Sequence, residues 1–167
     1  FYFYPEIRPF LNEQKKESIL KKMKKIDENI FDNFEEKRKE GENESYICQL
    51  IRKESIEKFI SFLNQTNLSI SSTIKPSIFE TNSFLIKNKE TTLIEYAAFC
   101  GSFQIFQYLV QNKIELKPSL ILFAIHGRNQ EIISIVENYD FKKDRISYDL
   151  YLKESIKCHH NEIVNHI

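Results

Sequence analysis

The stretch from Thr92 to Val110, TLIEYAAFCGSFQIFQYLV, constrains the fold of this chain more than any other. Its first half is almost entirely apolar, with close spacing of Leu93, Ile94, Tyr96, Ala97 and Phe99. A helix with so few polar positions cannot leave one face in water, so neighbouring elements must cover it on several sides. The small side chains of Ala97 and Ala98 would let another helix approach closely. The stretch therefore predicts a buried helix at a helix–helix contact.

A tight turn and a second helix are predicted after this first helix. Gly101 suits the left-handed backbone conformation that commonly ends a helix, which places the turn at Cys100 to Ser102. The Ser102 hydroxyl is a suitable N-cap, because it can accept a hydrogen bond from a backbone N–H two or three residues later. Apolar residues then recur at helical spacing, at Phe103, Phe106, Leu109 and Val110. The predicted unit is a helix, a tight turn and a returning helix.

These residues resemble an ankyrin repeat. The family's Thr-Pro-Leu-His-x-Ala-Ala run falls on Thr92, Leu93, Ile94, Glu95, Tyr96, Ala97 and Ala98, its turn glycine on Gly101, and its Ile-Val-x-x-Leu-Leu run on Ile105, Phe106, Leu109 and Val110. Leu93 and Glu95 replace the family's Pro and His, so the resemblance is to a divergent member. With ICQLIRKESIEKFI before it and IKCHHNEIV after it, the chain resembles a protist branch of ankyrin-repeat proteins whose N-terminal domain has no known function.

Weaker copies of the unit lie on both sides of it. When these copies are aligned with the central unit, the position equivalent to Ala97 is Leu50 in the first copy, Ala124 in the copy that follows the central unit and Ser155 in the last. The position equivalent to Gly101 in the copy at 118–148 is Arg128. The predicted boundaries are 45–68 for a degenerate first repeat, 69–91 for an insertion or connection, 92–117 and 118–148 for two repeats, and 149–167 for a truncated final repeat. The first copy has large side chains where the central unit has its small alanine pair. This difference is consistent with a position at the end of the repeat array, because terminal repeats commonly differ from internal ones.

Residues 1–44 form a predicted helical leader. Apolar residues recur in it at spacings of three and four, at Ile19, Met23, Ile26, Ile30 and Phe34. This spacing predicts one amphipathic helix, which Gly41 would end. Its other face mixes both signs of charge, as an ordinary solvated helix face does. The alternative is that the apolar stripe is a seam for a partner helix or a coiled coil.

The composition favours helix throughout. The 167 residues include only three Gly and four Pro against 14 Phe and eight Tyr, which is untypical of a turn-rich β protein. Residues 77–86 alone have a β-like pattern. The fold class is therefore predicted to be all-α, with an ankyrin-like helix–turn–helix solenoid preceded by an amphipathic N-terminal helix.

Charge and cysteine content narrow the range of partners and compartments. The 24 basic residues equal the 24 acidic ones, so neither nucleic acid nor a membrane is expected as a partner. Cys48, Cys100 and Cys158 are odd in number and far apart, as is typical of reduced intracellular thiols. We therefore predict a cytoplasmic protein, with the nucleus as the alternative compartment.

Residues suited to catalysis or cofactor binding are sparse. Cys158, His159, His160 and His166 form one cluster of metal-ligand types, but adjacent residues rarely ligate one tetrahedral ion. In the repeat alignment this cluster falls in a turn, as does His126. The glycines are too isolated for a phosphate-binding loop, and no motif predicts an activated nucleophile. We expect no metal, no cofactor and no enzymatic activity.

The expected function is binding of an unidentified protein through the turn tips and the concave helix face that the resemblance implies. Under the resemblance, exposed binding positions fall on Lys89, Thr91, Phe99, Cys100, Leu116, Pro118, His126, Gly127, Ser147, Asp149, Lys157 and Cys158. The alternative function is a purely architectural or oligomerising helical segment of a larger protein.

The last predicted helix generates a testable expectation. Because the chain begins at Phe1 rather than Met, we expect it to be part of a longer protein. Because no polar cap follows Ile167, we expect further repeats on the C-terminal side. Ile163, Val164 and Ile167 would then lie where a following repeat covers them, and they would be wet in this chain. Amide hydrogen exchange should be much faster from Glu162 to Ile167 than from Ile105 to Val110. Equal protection would contradict this interpretation.

Overall fold

A computed structural model describes residues 1–26, 28, 30–139, 141 and 146–160. Its helices are α1 (Tyr4–Ile7), α2 (Glu13–Ile26), α3 (Phe34–Glu40), α4 (Tyr46–Arg52), α5 (Ile56–Thr66), α6 (Ser83–Lys87), α7 (Leu93–Cys100), α8 (Phe103–Gln111), α9 (Leu120–Gly127), α10 (Gln130–Glu137) and α11 (Tyr148–Lys157), with a 3-10 helix at Arg8–Phe10. The described residues contain no β-strand, so the predicted all-α class is confirmed. Within the same ranges, no helix is long and apolar enough to cross a membrane.

The chain divides into two compact units. Unit 1 consists of residues 1–45 and 75–89, and unit 2 consists of residues 46–74 and 90–167. The predicted insertion at 69–91 is therefore shared between the units, because its central part belongs with the N-terminal leader.

Unit 1 has a core of its own. The buried side chains that form this core cluster are Tyr4, Met23, Ile30, Phe34 and Phe79. The rings of Phe34 and Phe79 meet edge to face, with their centroids 5.2 Å apart. Met23, Ile30 and Phe34 belong to the apolar stripe of the leader, so these three residues of the stripe pack inside the unit.

The leader is not the single helix that its spacing predicts. Helix α2 ends at Ile26, and α3 begins only at Phe34, after Asn33 in the left-handed conformation (φ 55°). Asparagine tolerates this conformation better than most residues. The break lets the chain change direction, so that both Met23 and Phe34 reach one core. The predicted end at Gly41 is confirmed, since Gly41 has φ 68° and donates its N–H to the Lys37 carbonyl.

The β-like pattern at 77–86 does not form a strand, so this interpretation was wrong. Instead, Asn82 caps the short helix α6 by accepting hydrogen bonds from the backbone N–H groups of Phe84 and Leu85. Thr81 donates from its N–H and from its hydroxyl to the Gly41 carbonyl, at 3.0 and 2.7 Å. Phe79 enters the core of unit 1. The β-like pattern at 77–86 therefore arises from a buried core residue and a helix cap, and not from a β-sheet.

Unit 2 contains successive helix pairs. Helices α4 and α5, α7 and α8, and α9 and α10 contact one another as pairs. The first helices also contact one another in the order α4, α7, α9 and α11, and the second helices in the order α5, α8 and α10. Helix α7 therefore has α4, α8 and α9 around it, and Ala97 and Ala98 in it are fully buried. The prediction that neighbours cover this helix on several sides is confirmed.

The first helices of unit 2 end in the same way. The residues with positive φ that follow them are Glu54 (49°), Gly101 (70°), Arg128 (53°) and His159 (52°). Each lies four residues after one of the aligned positions Leu50, Ala97, Ala124 and Ser155. In three of the four, the next N–H donates back to that aligned carbonyl, from Ser55, Ser102 and His160. This is the Schellman-type closure of a helix, repeated with and without glycine.

The caps of the central pair differ from the prediction. The Ser102 side chain does not cap α8; its hydroxyl donates to the Ile51 carbonyl, which ties the turn to the preceding helix pair. Helix α7 is the capped one. Its Thr92 side chain accepts from the Glu95 N–H at 3.4 Å, and the Glu95 carboxylate accepts from the Thr92 N–H at 2.8 Å. Glu95 thus completes a capping box.

Helices α7 and α9 make a very close backbone contact. A Cβ atom placed on Gly127 would lie 2.0 Å from the Ala98 carbonyl oxygen and 2.8 Å from the Gly101 nitrogen. No side chain fits in that space, so only glycine permits this separation. This contact explains why the glycine lies at position 127, although the left-handed conformation is adopted by the next residue, Arg128.

The predictions for Ile163, Val164, His166 and Ile167 fall outside the described residues.

The contact predicts a large effect of a small substitution. Gly127→Ala should lower the free energy of unfolding by about 1–3 kcal/mol, because the added methyl forces α7 and α9 apart. Gln107→Ala, at an exposed position of α8, is the control and should change stability by less than about 0.5 kcal/mol. Chemical denaturation of both variants measures the difference. An unchanged Gly127→Ala protein would show that this contact is not needed.

Candidate functional site

The predicted binding residues differ widely in exposure. Lys89, Ser147, Asp149 and Lys157 are exposed; Phe99, Cys100, Pro118, His126 and Gly127 are partly buried; Thr91, Leu116 and Cys158 are buried. Lys89 belongs to unit 1 and the others to unit 2. The expectation of exposure was therefore wrong for Thr91, Leu116 and Cys158, which cannot contact a partner directly in this conformation.

Backbone pairing explains the burial of Thr91. The Thr91 carbonyl accepts from the Ile74 N–H at 2.8 Å, and the Leu93 N–H donates to the Ser72 carbonyl at 3.1 Å. This pairing forms an isolated antiparallel bridge between Thr73 and Thr92. The residues of unit 2 that precede and follow residues 75–89 are thus hydrogen-bonded to each other, and Thr91 is buried at this pairing.

A polar cluster joins helices α9 and α11. The His126 Nε2 and the Glu154 Oε1 lie 2.9 Å apart, and the His126 Nδ1 and the Cys158 Sγ lie 3.5 Å apart. Glu154 and Cys158 lie one turn apart, at the end of α11, so their side chains share one face. The sequence predicts His126 and Cys158 as separate turn residues. The structure brings them together and adds Glu154, which the sequence analysis missed.

The surroundings fix the geometry of this cluster, called here the His126–Glu154–Cys158 cluster. Lys157 donates to the second carboxylate oxygen of Glu154 at 2.7 Å. The Arg128 guanidinium donates to the Cys158 carbonyl oxygen. The Phe99 ring lies 5.3 Å from the His126 ring, centroid to centroid. Each member of the cluster is therefore held by a group outside it.

The electrostatics of the cluster oppose a reactive cysteine. Burial, together with the charge of Glu154, raises the pKa of the Cys158 thiol. Burial also acts to raise the pKa of Glu154, but the hydrogen bonds and charges of Lys157 and His126 outweigh it, so this pKa is lowered. Catalytic cysteines require an accessible thiolate of low pKa. The raised pKa of Cys158 is opposite in direction to the shift that activates a catalytic cysteine. Sulfur, nitrogen and oxygen ligands together suit a metal ion.

An aromatic groove lies beside the cluster's helices. Its volume is about 400 Å³, and it is lined by Pro118, Ile121, Val136, Glu137, Tyr139, Phe141, Ile146, Tyr148 and Tyr151. The Tyr151 hydroxyl donates to Glu137 at 2.5 Å, and burial with this hydrogen bond raises the pKa of Tyr151. Of the predicted binding residues, only Pro118 lines the groove. The density of aromatic residues between 139 and 151 was the sequence signal for it.

Comparisons with known proteins do not assign this chain to a family. No protein-family model, no curated protein and no solved structure matches this chain. The function is therefore argued from the geometry alone.

The lowered pKa of Glu154 predicts an acid-dependent loss of stability. A carboxylate whose pKa is lowered in the folded state stabilises that state above its ordinary pKa of 4.5, and this contribution is lost as the pH falls below it. The groups that face Glu154 are His126, Lys157 and Cys158. Glu154→Gln should therefore cost about 1–3 kcal/mol near pH 6, because hydrogen bonds to a buried charge are lost.

The difference from the unsubstituted protein should shrink as the pH falls from 4.5 towards 3. Urea denaturation at a series of pH values measures it. Glu131→Gln, at an exposed position of α10, is the matched control and should change little at any pH. A pH-independent difference for Glu154→Gln would contradict a role for the carboxylate charge.

Proposed function

We propose that this chain is a protein-interaction module of the ankyrin type, which binds another protein through its turn tips and a neighbouring groove. The observation that carries the proposal is the repeated helix pair of unit 2. First helices contact first helices, second helices contact second helices, and every first helix ends at an equivalent left-handed residue. Stacked pairs of this kind present an extended surface made of successive turns and helix ends.

The aromatic groove supports a protein as the partner. Tyrosine and phenylalanine are enriched at protein–protein interfaces, because they bury a large area with few rotatable bonds. Two of the aromatic residues that line the groove remain exposed, namely Tyr148 (56%) and Tyr139 (42%). The predicted positions Ser147 and Asp149 flank Tyr148, and Pro118 lines the groove itself. An apolar anchor residue of the partner, bordered by polar contacts, fits this arrangement.

The alternative function is an architectural or oligomerising segment. Its oligomerising form requires the stripe from Ile19 to Phe34 to be available to a second chain. Met23, Ile30 and Phe34 are buried in the core of unit 1, which leaves little of this stripe for a partner helix. Sedimentation of the isolated chain distinguishes the two functions, because the proposed module is expected to be a monomer and the oligomerising segment is not.

Photo-cross-linking tests the proposed binding surface. A photoreactive amino acid at Tyr148 or at Phe99 should give one discrete protein adduct in the cells that produce the protein. The same amino acid at Lys58, an exposed position of α5, is the control and should give none. Equal labelling at all three positions would contradict a specific surface.

Once the adduct identifies the partner, affinity measurements test the groove directly. Tyr148→Ala should weaken binding by about 2 kcal/mol, roughly 30-fold, as truncation of an aromatic anchor does. Lys58→Ala should leave the affinity unchanged. An unchanged affinity for Tyr148→Ala would place the partner elsewhere on the molecule.

A further inference from the structure

We propose that the His126–Glu154–Cys158 cluster is a binding site for one divalent cation of the zinc type. The ligand atoms of these three residues all lie within 4.8 Å of one another. Glu154 and Cys158 expose only 6% and 8% of their surface and His126 is partly buried, unlike the exposed acidic groups that often lie together by chance. The site would connect α9 to α11, and it differs from the contiguous His and Cys run that the sequence presents.

The distances are close to those that a bound ion requires. Zinc lies about 2.0–2.3 Å from nitrogen, oxygen and sulfur ligands, so ligand atoms around a tetrahedral ion are separated by roughly 3.3–3.7 Å. The His126 Nδ1 and the Cys158 Sγ are already 3.5 Å apart. The Glu154 carboxylate, now 2.9 Å from the His126 Nε2, must turn towards the Nδ1 side of the ring. Binding of the ion therefore requires the Glu154 side chain to rotate.

The ligand types and charges select the ion. Thiolate, imidazole and carboxylate together suit zinc, whereas calcium and magnesium prefer oxygen ligands alone. On binding, the Cys158 thiol releases its proton to solvent, and the two anionic ligands then balance the charge of the ion. Lys157 is 66% exposed at its side chain, so it can leave the Glu154 oxygen that it now contacts. A water molecule would supply the fourth ligand.

The contacts outside the cluster favour a fixed site. The Arg128 guanidinium holds the Cys158 carbonyl, and the Phe99 ring lies against the His126 imidazole. Such outer contacts orient metal ligands and contribute to affinity. Because the ligands come from two successive first helices, the ion would fasten α11 to the rest of unit 2.

Cobalt binding to the full chain tests this proposal. Co²⁺ added to the reduced, metal-free protein should bind at one equivalent and produce a thiolate-to-cobalt charge-transfer absorption, which Zn²⁺ should abolish by displacement. Cys158→Ser should remove the absorption, and it should weaken Zn²⁺ binding by more than about 100-fold, beyond the effect of typical outer-shell changes. The matched controls are His159→Asn, which keeps a residue tolerant of the left-handed conformation, and Cys100→Ser; both should bind as the unsubstituted chain does.

Two results would overturn the proposal. One is the absence of a thiolate absorption in the unsubstituted protein at saturating Co²⁺. The other is unchanged Zn²⁺ affinity in Cys158→Ser or in His126→Ala. If circular dichroism shows that Cys158→Ser is unfolded, Glu154→Gln replaces it. The cobalt spectrum and stoichiometry of the unsubstituted chain, together with the Zn²⁺ affinity of Glu154→Gln, then decide the outcome.

Discussion

The close approach of α7 and α9 is the contact on which the rest of unit 2 depends. It requires glycine at position 127, because the Ala98 carbonyl oxygen occupies the space of a side chain. The fully buried Ala97 and Ala98 provide the other surface. Side chains larger than these would separate the helices and remove the dispersion contacts between them. This small-residue contact places α9 next to α7 in the row of first helices.

The same packing creates the two candidate sites. Because α9 also contacts α11, His126 at the end of one helix meets Glu154 and Cys158 at the end of the other. The aromatic groove lies between residues of α9, α10 and α11 and the chain that joins them. Both sites combine residues of α11 with residues of α9 or α10, so both depend on the contact between α9 and α11.

Local features of the helix pairs were accessible from the sequence. The left-handed end at Gly101 and the small pair Ala97 and Ala98 depend on residue type and short spacing, and both are confirmed. Features that depend on distant partners were not accessible. The Ser102 hydroxyl bonds the Ile51 carbonyl in place of its own helix, and Thr91 is enclosed by its pairing with residues near Ile74. Competition from a tertiary partner decided each of these cases.

The sequence by itself determined the helical class and the position of the central turn, because each follows from residue type and from periodicity over a few residues. Only the tertiary structure decided that Met23, Ile30 and Phe34 of the leader form a core, that residues 75–89 belong with the leader, and that Glu154 completes a cluster with His126 and Cys158. These outcomes depend on which side chains meet across many residues of chain. Helical spacing records the face of a helix that is buried, but it does not record what covers that face.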